Sequence, residues 1–315
     1  MIDLVFLLIG LLVTRVLVFL VLERFNINFL KLHGSNLPDS VQGIMDAPTF
    51  SKSVEYTEAK SKFSSVSTIY DGLILALIIV FGILPYFYSL LSDLFGYGLF
   101  GQSLVFIVTL FLLGLPSIPF TLWETFKLEE RFGFNKSTLK LWITDQIKGF
   151  ALGLIIGVPV LMALMWIVTQ MGAYWWLWAF VFLWLFQVVM LILYPMFILP
   201  LFNKLEPLEA GELKDRLLAL GNRCGFKSQT ILVMDGSKRS GHSNAFFTGF
   251  GRFRRIVLYD TLIQQMEVKE LEAVLAHEIG HYKCGHIPQR LFFSAFSTFL
   301  MFACLGWLMQ TGWVF

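Results

Sequence analysis

Charge is scarce in this chain: Asp, Glu, Lys and Arg make up 15% of its 315 residues, against 57% hydrophobic residues. With a mean hydropathy of +0.71, an ordinary soluble domain is excluded and a lipid bilayer is the expected surrounding. The net charge of +2 is spread over several loops, so no nucleic acid is expected as a partner. Cysteine is scarcer still. Cys224, Cys284 and Cys304 are an odd number without C-x-x-C spacing, which leaves neither a disulfide framework nor a cysteine zinc site. Histidine is rare too, five in all, so two that share a metal-binding spacing carry weight.

What the chain has in abundance is apolar runs. The first, about Leu4 to Leu22, is long enough to span a bilayer and has no basic region before it, so it is read as a retained span and not a cleaved signal. Residues 23–67 turn polar and read as a loop with short helices, one of them broken by Pro48. Spans are expected at about Ile69–Leu91, Leu99–Trp123, Gly149–Thr169 and Tyr174–Leu199, with a charged loop at 124–148. Trp175, Trp176 and Trp178 crowd the start of the fifth span as an aromatic belt would. From Pro200 to Arg290 the composition is that of a soluble domain. It holds a helix at Glu209–Gly221 and strands at Thr230–Met234, Asn244–Thr248 and Ile256–Tyr259. A last apolar run starts at Leu291. The expected organisation is therefore helix 1 at 1–22, a polar segment at 23–67, helices 2–5 within 68–199, a soluble domain at 200–290 and helix 6 at 291–315.

The basic residues alternate between these segments. The segments after spans one and three carry five Lys or Arg each and the domain after span five carries thirteen, whereas the two intervening turns carry none. The positive-inside rule then puts the soluble domain on the cytoplasmic side.

Within that domain the stretch Val274–His281 contains an H-E-x-x-H. Four residues advance a helix by about 400°, so His277 and His281 lie on one face, a turn apart, and can offer both imidazoles to one Zn²⁺. Glu278 lies beside them, where its carboxylate can take a proton from an activated water and pass one to a leaving amine. A catalytic zinc site takes a third protein ligand, and no acidic residue follows Glu278. Cys284 stands near a helix end, and thiolates are usual in structural zinc sites. Glu270 shares the face of His277 but lies about 10 Å along the axis. His286 falls on the opposite face if the helix continues, and reaches the site only if Gly285 ends it.

Four stretches taken together are more specific than the motif alone: Glu129–Thr138, Pro200–Lys204, Arg239–Phe247 and His277–His286. On these the chain resembles the integral-membrane zinc metalloprotease family that includes the type I CAAX prenyl endopeptidase and the bacterial heat-shock membrane proteases, most nearly its CAAX-type branch. The resemblance implies a membrane α-helical fold, about six transmembrane helices where the family has seven, around a chamber, with a cytoplasmic-side α+β zinc-protease domain between spans five and six. It implies Zn²⁺ as cofactor, His277 and His281 as its ligands, Glu278 as general base, and Ser243, Asn244, Ala245 and Phe246 as an edge strand that takes up the peptide. In the family the third ligand is a glutamate beyond a seventh span, so a C-terminal piece is expected to be absent here.

The expected function is that of a multi-pass zinc endopeptidase in a bacterial inner membrane or the endoplasmic reticulum. Its substrates would be prenylated C-terminal tails or membrane-associated polypeptides. The alternative is a catalytically silent fragment or scaffold that lacks the third ligand.

Overall fold

The computed structural model describes residues 2–39, 42–43, 45–225, 231–248 and 255–311. The chain divides into two compact units, Met1–Asn135 and Lys136–Phe315. Among the described residues, six helical runs are long and apolar enough to cross a membrane, by length and composition.

In the first unit α1 (Ile2–His33) packs along α2 (Ala47–Val80), and Ser61 Oγ donates to Glu23 Oε2 across the pair at 2.6 Å. Here the expected loop at 23–67 is corrected. Both helices run well past the apolar residues, since helix continuity depends on backbone geometry and hydropathy reports only burial or lipid. Pro48 is the second residue of α2 and not its breaker. It follows the Asp46 cap, whose carboxylate accepts from Thr49 N at 3.2 Å, and a proline costs no hydrogen bond in a first turn.

The expected second span at Ile69–Leu91 is broken at Gly82, which takes the left-handed conformation at φ +62°. The bilayer-length helix is instead Ala47–Val80, and α3 (Ile83–Phe95) is a separate short helix. Next, α4 (Leu99–Gly114) continues through a 3₁₀ turn at Leu115–Ser117 into α5 (Ile118–Trp123) and a π turn at Glu124–Glu129. The charged segment 124–148 is therefore mostly helical. Only a short connection, closed by Phe134 N donating to Glu129 O at 2.9 Å, separates the π turn from the helix that follows.

The second unit opens with α6 (Leu139–Gln170), capped by Thr138 through Leu141 N at 3.2 Å. Then come α7 (Trp175–Leu193), a π turn at Tyr194–Ile198, and α8 (Leu199–Phe202). The soluble-type elements are β1 (Leu205–Pro207), α9 (Glu212–Arg223), β2 (Ile231–Met234), β3 (Ala245–Thr248), β4 (Arg255–Tyr259), α10 (Asp260–Gln265) and α11 (Val268–Lys283), followed by α12 (His286–Gln310). Thr230, expected in the second of these strands, lies outside the described residues, as does the end of the last apolar run.

Among the apolar helices, α12 packs on α7. Trp176 meets Phe299 edge-on at 5.7 Å and Trp175 meets Phe302 at 6.3 Å, so two of the three tryptophans expected as a belt are helix-packing residues. Trp178 remains exposed.

The sheet has the order β1-β2-β4-β3, with β2 and β4 parallel and both outer strands antiparallel to their neighbours. Alternating side chains build two cores, as period-two strands require. Ile231, Ala245, Ile256 and Leu258 face α9, α10 and α11 through Leu217, Leu262, Leu271, Leu275 and Ile279. Leu232, Met234 and Val257 face the other way, against Leu199 of α8 and Phe246. The short β1 was not foreseen; its Glu206 pairs with Lys204, just before the strand, at 2.6 Å, and that bond holds the Lys204 ammonium above the usual lysine range.

Candidate metal centre

Helix α11 exposes its motif because of where it buries its apolar residues. Leu271, Leu275 and Ile279 recur every four residues and are buried against the sheet. His277 lies two residues from both Leu275 and Ile279, about 200° around the helix, so the histidine face turns away from that core. A capping box closes the helix N-terminus: Glu267 and Glu270 each bond the other's backbone, with Glu267 N donating to Glu270 Oε2 at 2.8 Å. Glu270, weighed as a ligand, is occupied at the far end of the helix.

His277 and His281 come together as the spacing predicts. Their Nε2 atoms are 3.1 Å apart, and ligand atoms of His277, Glu278 and His281 all lie within 4.8 Å of one another. Two nitrogens each about 2.05 Å from a tetrahedral Zn²⁺ would be about 3.3 Å apart, so the pair fits a shared ion with little movement. Glu278 and His281 are half-buried and His277 is exposed. Among the described residues no third side chain outside the motif joins this group, and Cys284 is exposed at the helix end.

His286 is the residue that spacing alone did not place. Gly285 takes φ +69° and ends α11, and His286 begins α12. The reversal brings His286 Nδ1 to 2.6 Å from His281 Nδ1, with ring centroids 4.9 Å apart. It is outside the group of three, so it touches the site through His281. The condition set by the sequence, that Gly285 end the helix, is met, since glycine just past a helix is the usual left-handed stop.

The expected peptide-binding stretch is at the rim of the sheet. β3 is one of the two terminal strands among the described residues, and through Ala245 and Phe247 it shares a core with α11. Tyr259 N donates to Asn244 O at 3.0 Å, and the register pairs Phe246 with Val257. In an antiparallel ladder, residues 244 and 246 then face β4, and Ala245 and Phe247 turn their backbone groups to the rim. Asn244 Oδ1 accepts from Ala245 N at 2.9 Å. Asn244 itself precedes the strand, and Ser243 is tied by its hydroxyl to Gln265 of α10. Phe246 packs into the second core beside Tyr259 at 6.3 Å. Of the four residues expected to receive a peptide, Ala245 is the one in β3 whose backbone turns to the rim, its N–H taken by Asn244 Oδ1 and its carbonyl facing outward.

Behind this rim, Arg239 holds the segment 236–244 to a membrane-length helix. Its guanidinium makes a two-point contact with Asp145 of α6 at 2.8 and 3.0 Å and a third bond to Asn203 Oδ1 at 3.2 Å. Lys136 N donates to the Arg239 carbonyl at 3.1 Å.

Residues 26–204 match the family model described as the CAAX prenyl protease N-terminal region, five membrane helices. Residues 207–313 match the model of peptidase family M48. CAAX prenyl protease 1 of Saccharomyces cerevisiae is 40% identical over 284 residues, covering 87% of this chain and 63% of the relative. The CAAX prenyl protease 1 homolog of Arabidopsis thaliana is 39% identical over 276 residues, covering 84% and 65%. The chain thus spans just under two thirds of the length of these relatives. A crystal structure of S. mikatae Ste24p aligns with a TM-score of 0.90 at 36% identity, over 98% of this chain and 72% of that one.

Proposed function

This chain belongs to peptidase family M48, with the CAAX prenyl protease N-terminal membrane region ahead of its peptidase region, and from that premise we propose that it works as a membrane-embedded zinc endopeptidase. The observation that carries the reading is the 3.1 Å approach of His277 Nε2 to His281 Nε2 beside the Glu278 carboxylate. A bound Zn²⁺ would polarise the scissile carbonyl and lower the pKa of the attacking water. His277 and His281 hold the ion from one helix face. Glu278 takes the proton of the water and returns one to the departing amine. The rim of β3, where the Ala245 carbonyl points away from β4, holds the peptide extended by main-chain hydrogen bonding, with Ser243, Asn244 and Phe246 fixing the strand that does so.

The chain's organisation fits this role: membrane helices through residue 199, the peptidase domain at 200–290 facing the cytoplasm, and a further helix after it, in the endoplasmic reticulum or a bacterial inner membrane. Prenylated C-terminal tails are the favoured substrates, because the relatives at 40% and 39% identity carry that activity in their names.

A second reading is favoured by one observation. Among the described residues only two metal-binding histidines and the base converge, one ligand short of a catalytic zinc site, so the chain could hold a peptide without cleaving it. Zinc content and turnover of a prenylated peptide, measured on the detergent-purified chain and its Glu278→Gln and His277→Ala variants, separate the two. The protease reading expects about one zinc per chain, lost in His277→Ala, and turnover reduced at least about 100-fold in Glu278→Gln. Zinc no higher than in His277→Ala, with peptide binding unchanged in Glu278→Gln, supports the silent reading.

A further inference from the structure

Between α2 and the run from α5 into its π turn lies a groove of about 750 Å³ that the chemistry above does not use. Its walls change character along its length. Pro119, Trp123, Lys127 and Arg131 recur every four residues on one wall, along the run from α5 through its π turn. Phe63 and Val66 of α2 stand on the other wall, with Lys62 beside them. Phe63 stacks on Trp123 at 5.0 Å with the ring planes 15° apart, and the helices run in opposite directions. The apolar residues Val66 and Pro119 therefore share one end, and Lys62, Lys127 and Arg131 gather toward the other.

That polarity is the shape of an amphiphile with an anionic head. Lys62 pairs with Glu58 at 2.9 Å and Arg131 pairs with Glu55, but both cations are exposed, and exposed pairs hold their partners weakly. Lys127 has no ion-pair partner among the described residues. Glu58 is shared further with Lys31 at 3.7 Å, and the lining of the groove itself holds three cations and no carboxylate. The bland account is a crevice that any acyl chain fills. It explains the aromatic wall and leaves the three cations at one end without a reason.

We propose that this groove binds an anionic phospholipid of the cytoplasmic leaflet, its phosphate held by Lys62, Lys127 and Arg131 and an acyl chain laid along Phe63, Val66, Pro119 and Trp123. Both segments that supply the cations fall on the side where basic residues concentrate, and that leaflet carries the anionic lipids that juxtamembrane Lys and Arg attract. Only this choice of leaflet rests on the orientation proposed above. No proteolysis is read in the test, so its failure and that of the protease reading are distinguishable.

The test is native mass spectrometry of the full detergent-purified chain titrated with phosphatidylserine or phosphatidylcholine. The expected result is one phosphatidylserine per chain, bound at least about fivefold more tightly than phosphatidylcholine, and reduced about tenfold in Lys127→Glu/Arg131→Glu. Lys140→Glu, which removes a basic residue of the other unit, leaves binding unchanged. Val66→Trp, which fills the apolar end with all cations present, abolishes the bound lipid, and glycerophosphoserine, the headgroup without chains, does not compete. Equal binding of the two lipids, equal losses in Lys127→Glu/Arg131→Glu and Lys140→Glu, or full retention in Val66→Trp would overturn the proposal. Competition by glycerophosphoserine at equal strength would also overturn it, in favour of a simple phosphate site.

Discussion

His281 is held between two other imidazoles, with its Nδ1 2.6 Å from Nδ1 of His286 and its Nε2 3.1 Å from Nε2 of His277. If the two Nε2 lone pairs are kept for a metal ion, the proton of His281 sits on Nδ1 and His286 Nδ1 accepts it. That is the outer partner a metal-binding histidine normally has, and it fixes both the tautomer and the ring orientation.

Removing that partner is expected to loosen the metal without removing a ligand. His286→Ala should weaken zinc binding about 10- to 100-fold, and His286→Asn should recover part of the loss because its amide oxygen can accept the same hydrogen bond. Zinc affinity measured against a competing chelator reads this directly. An affinity unchanged in His286→Ala would show that His286 merely lies nearby.

The position of His286 depends in turn on Gly285. At φ +69° a side chain costs about 1–2 kcal/mol, so Gly285→Ala should lower stability by about that much and weaken zinc binding with it. Gly285→Asn, which tolerates the left-handed region better, should fall between the two. Calorimetry and the same chelator competition on each variant make the comparison, and equal stability of all three chains would refute it.

A separate prediction concerns the Arg239–Asp145 contact, which ties the segment before β3 to α6. The fork donates two bonds to the Asp145 carboxylate and a third to Asn203 Oδ1, a geometry that lysine cannot reproduce. Arg239→Lys should therefore cost nearly as much as Arg239→Ala, about 2 kcal/mol. Hydrogen exchange of β3 amides should speed up in both variants. Full protection in Arg239→Lys would mean that charge alone holds the segment.

These relationships differ in how far the sequence announces them. The His277, Glu278 and His281 grouping was legible because helix period alone fixes it, and the strands Ile231–Met234 and Arg255–Tyr259 because their β-branched runs are buried on both faces. Helix limits were not legible. Hydropathy marks where lipid or core begins, and α2 continues for about twenty residues through Ser, Lys and Glu before it meets apolar sequence. The break at Gly82 is hidden because the residues on both sides of it are equally apolar. β1 escaped because three residues ending in a proline carry no period. His286 was legible only as a condition on Gly285, and the partner of Arg239 was not legible at all, because Asp145, some ninety residues away, is brought to it by chain reversals that spacing does not record.

Close approach of α7 and α12 gives the last prediction. A Cβ built at Gly306 would lie 2.6 Å from Cδ1 and 2.7 Å from Cγ of Trp176, so the two helices meet there only because residue 306 has no side chain. Small residues at such a crossing are the usual means of packing helices in a membrane, where lipid is as apolar as leucine and only close van der Waals contact rewards association. Gly306→Ala must push back an indole that is also packed on Phe299, and overpacking of this kind costs about 1–3 kcal/mol. Trp176→Ala alone loses the indole's contacts. Together the two changes should be less damaging than their sum, since the new methyl then enters the space the indole leaves. A double-mutant cycle in detergent by thermal unfolding measures that coupling. Strict additivity would mean that the helices separate slightly at no cost, and that the contact at Gly306 does not set their spacing.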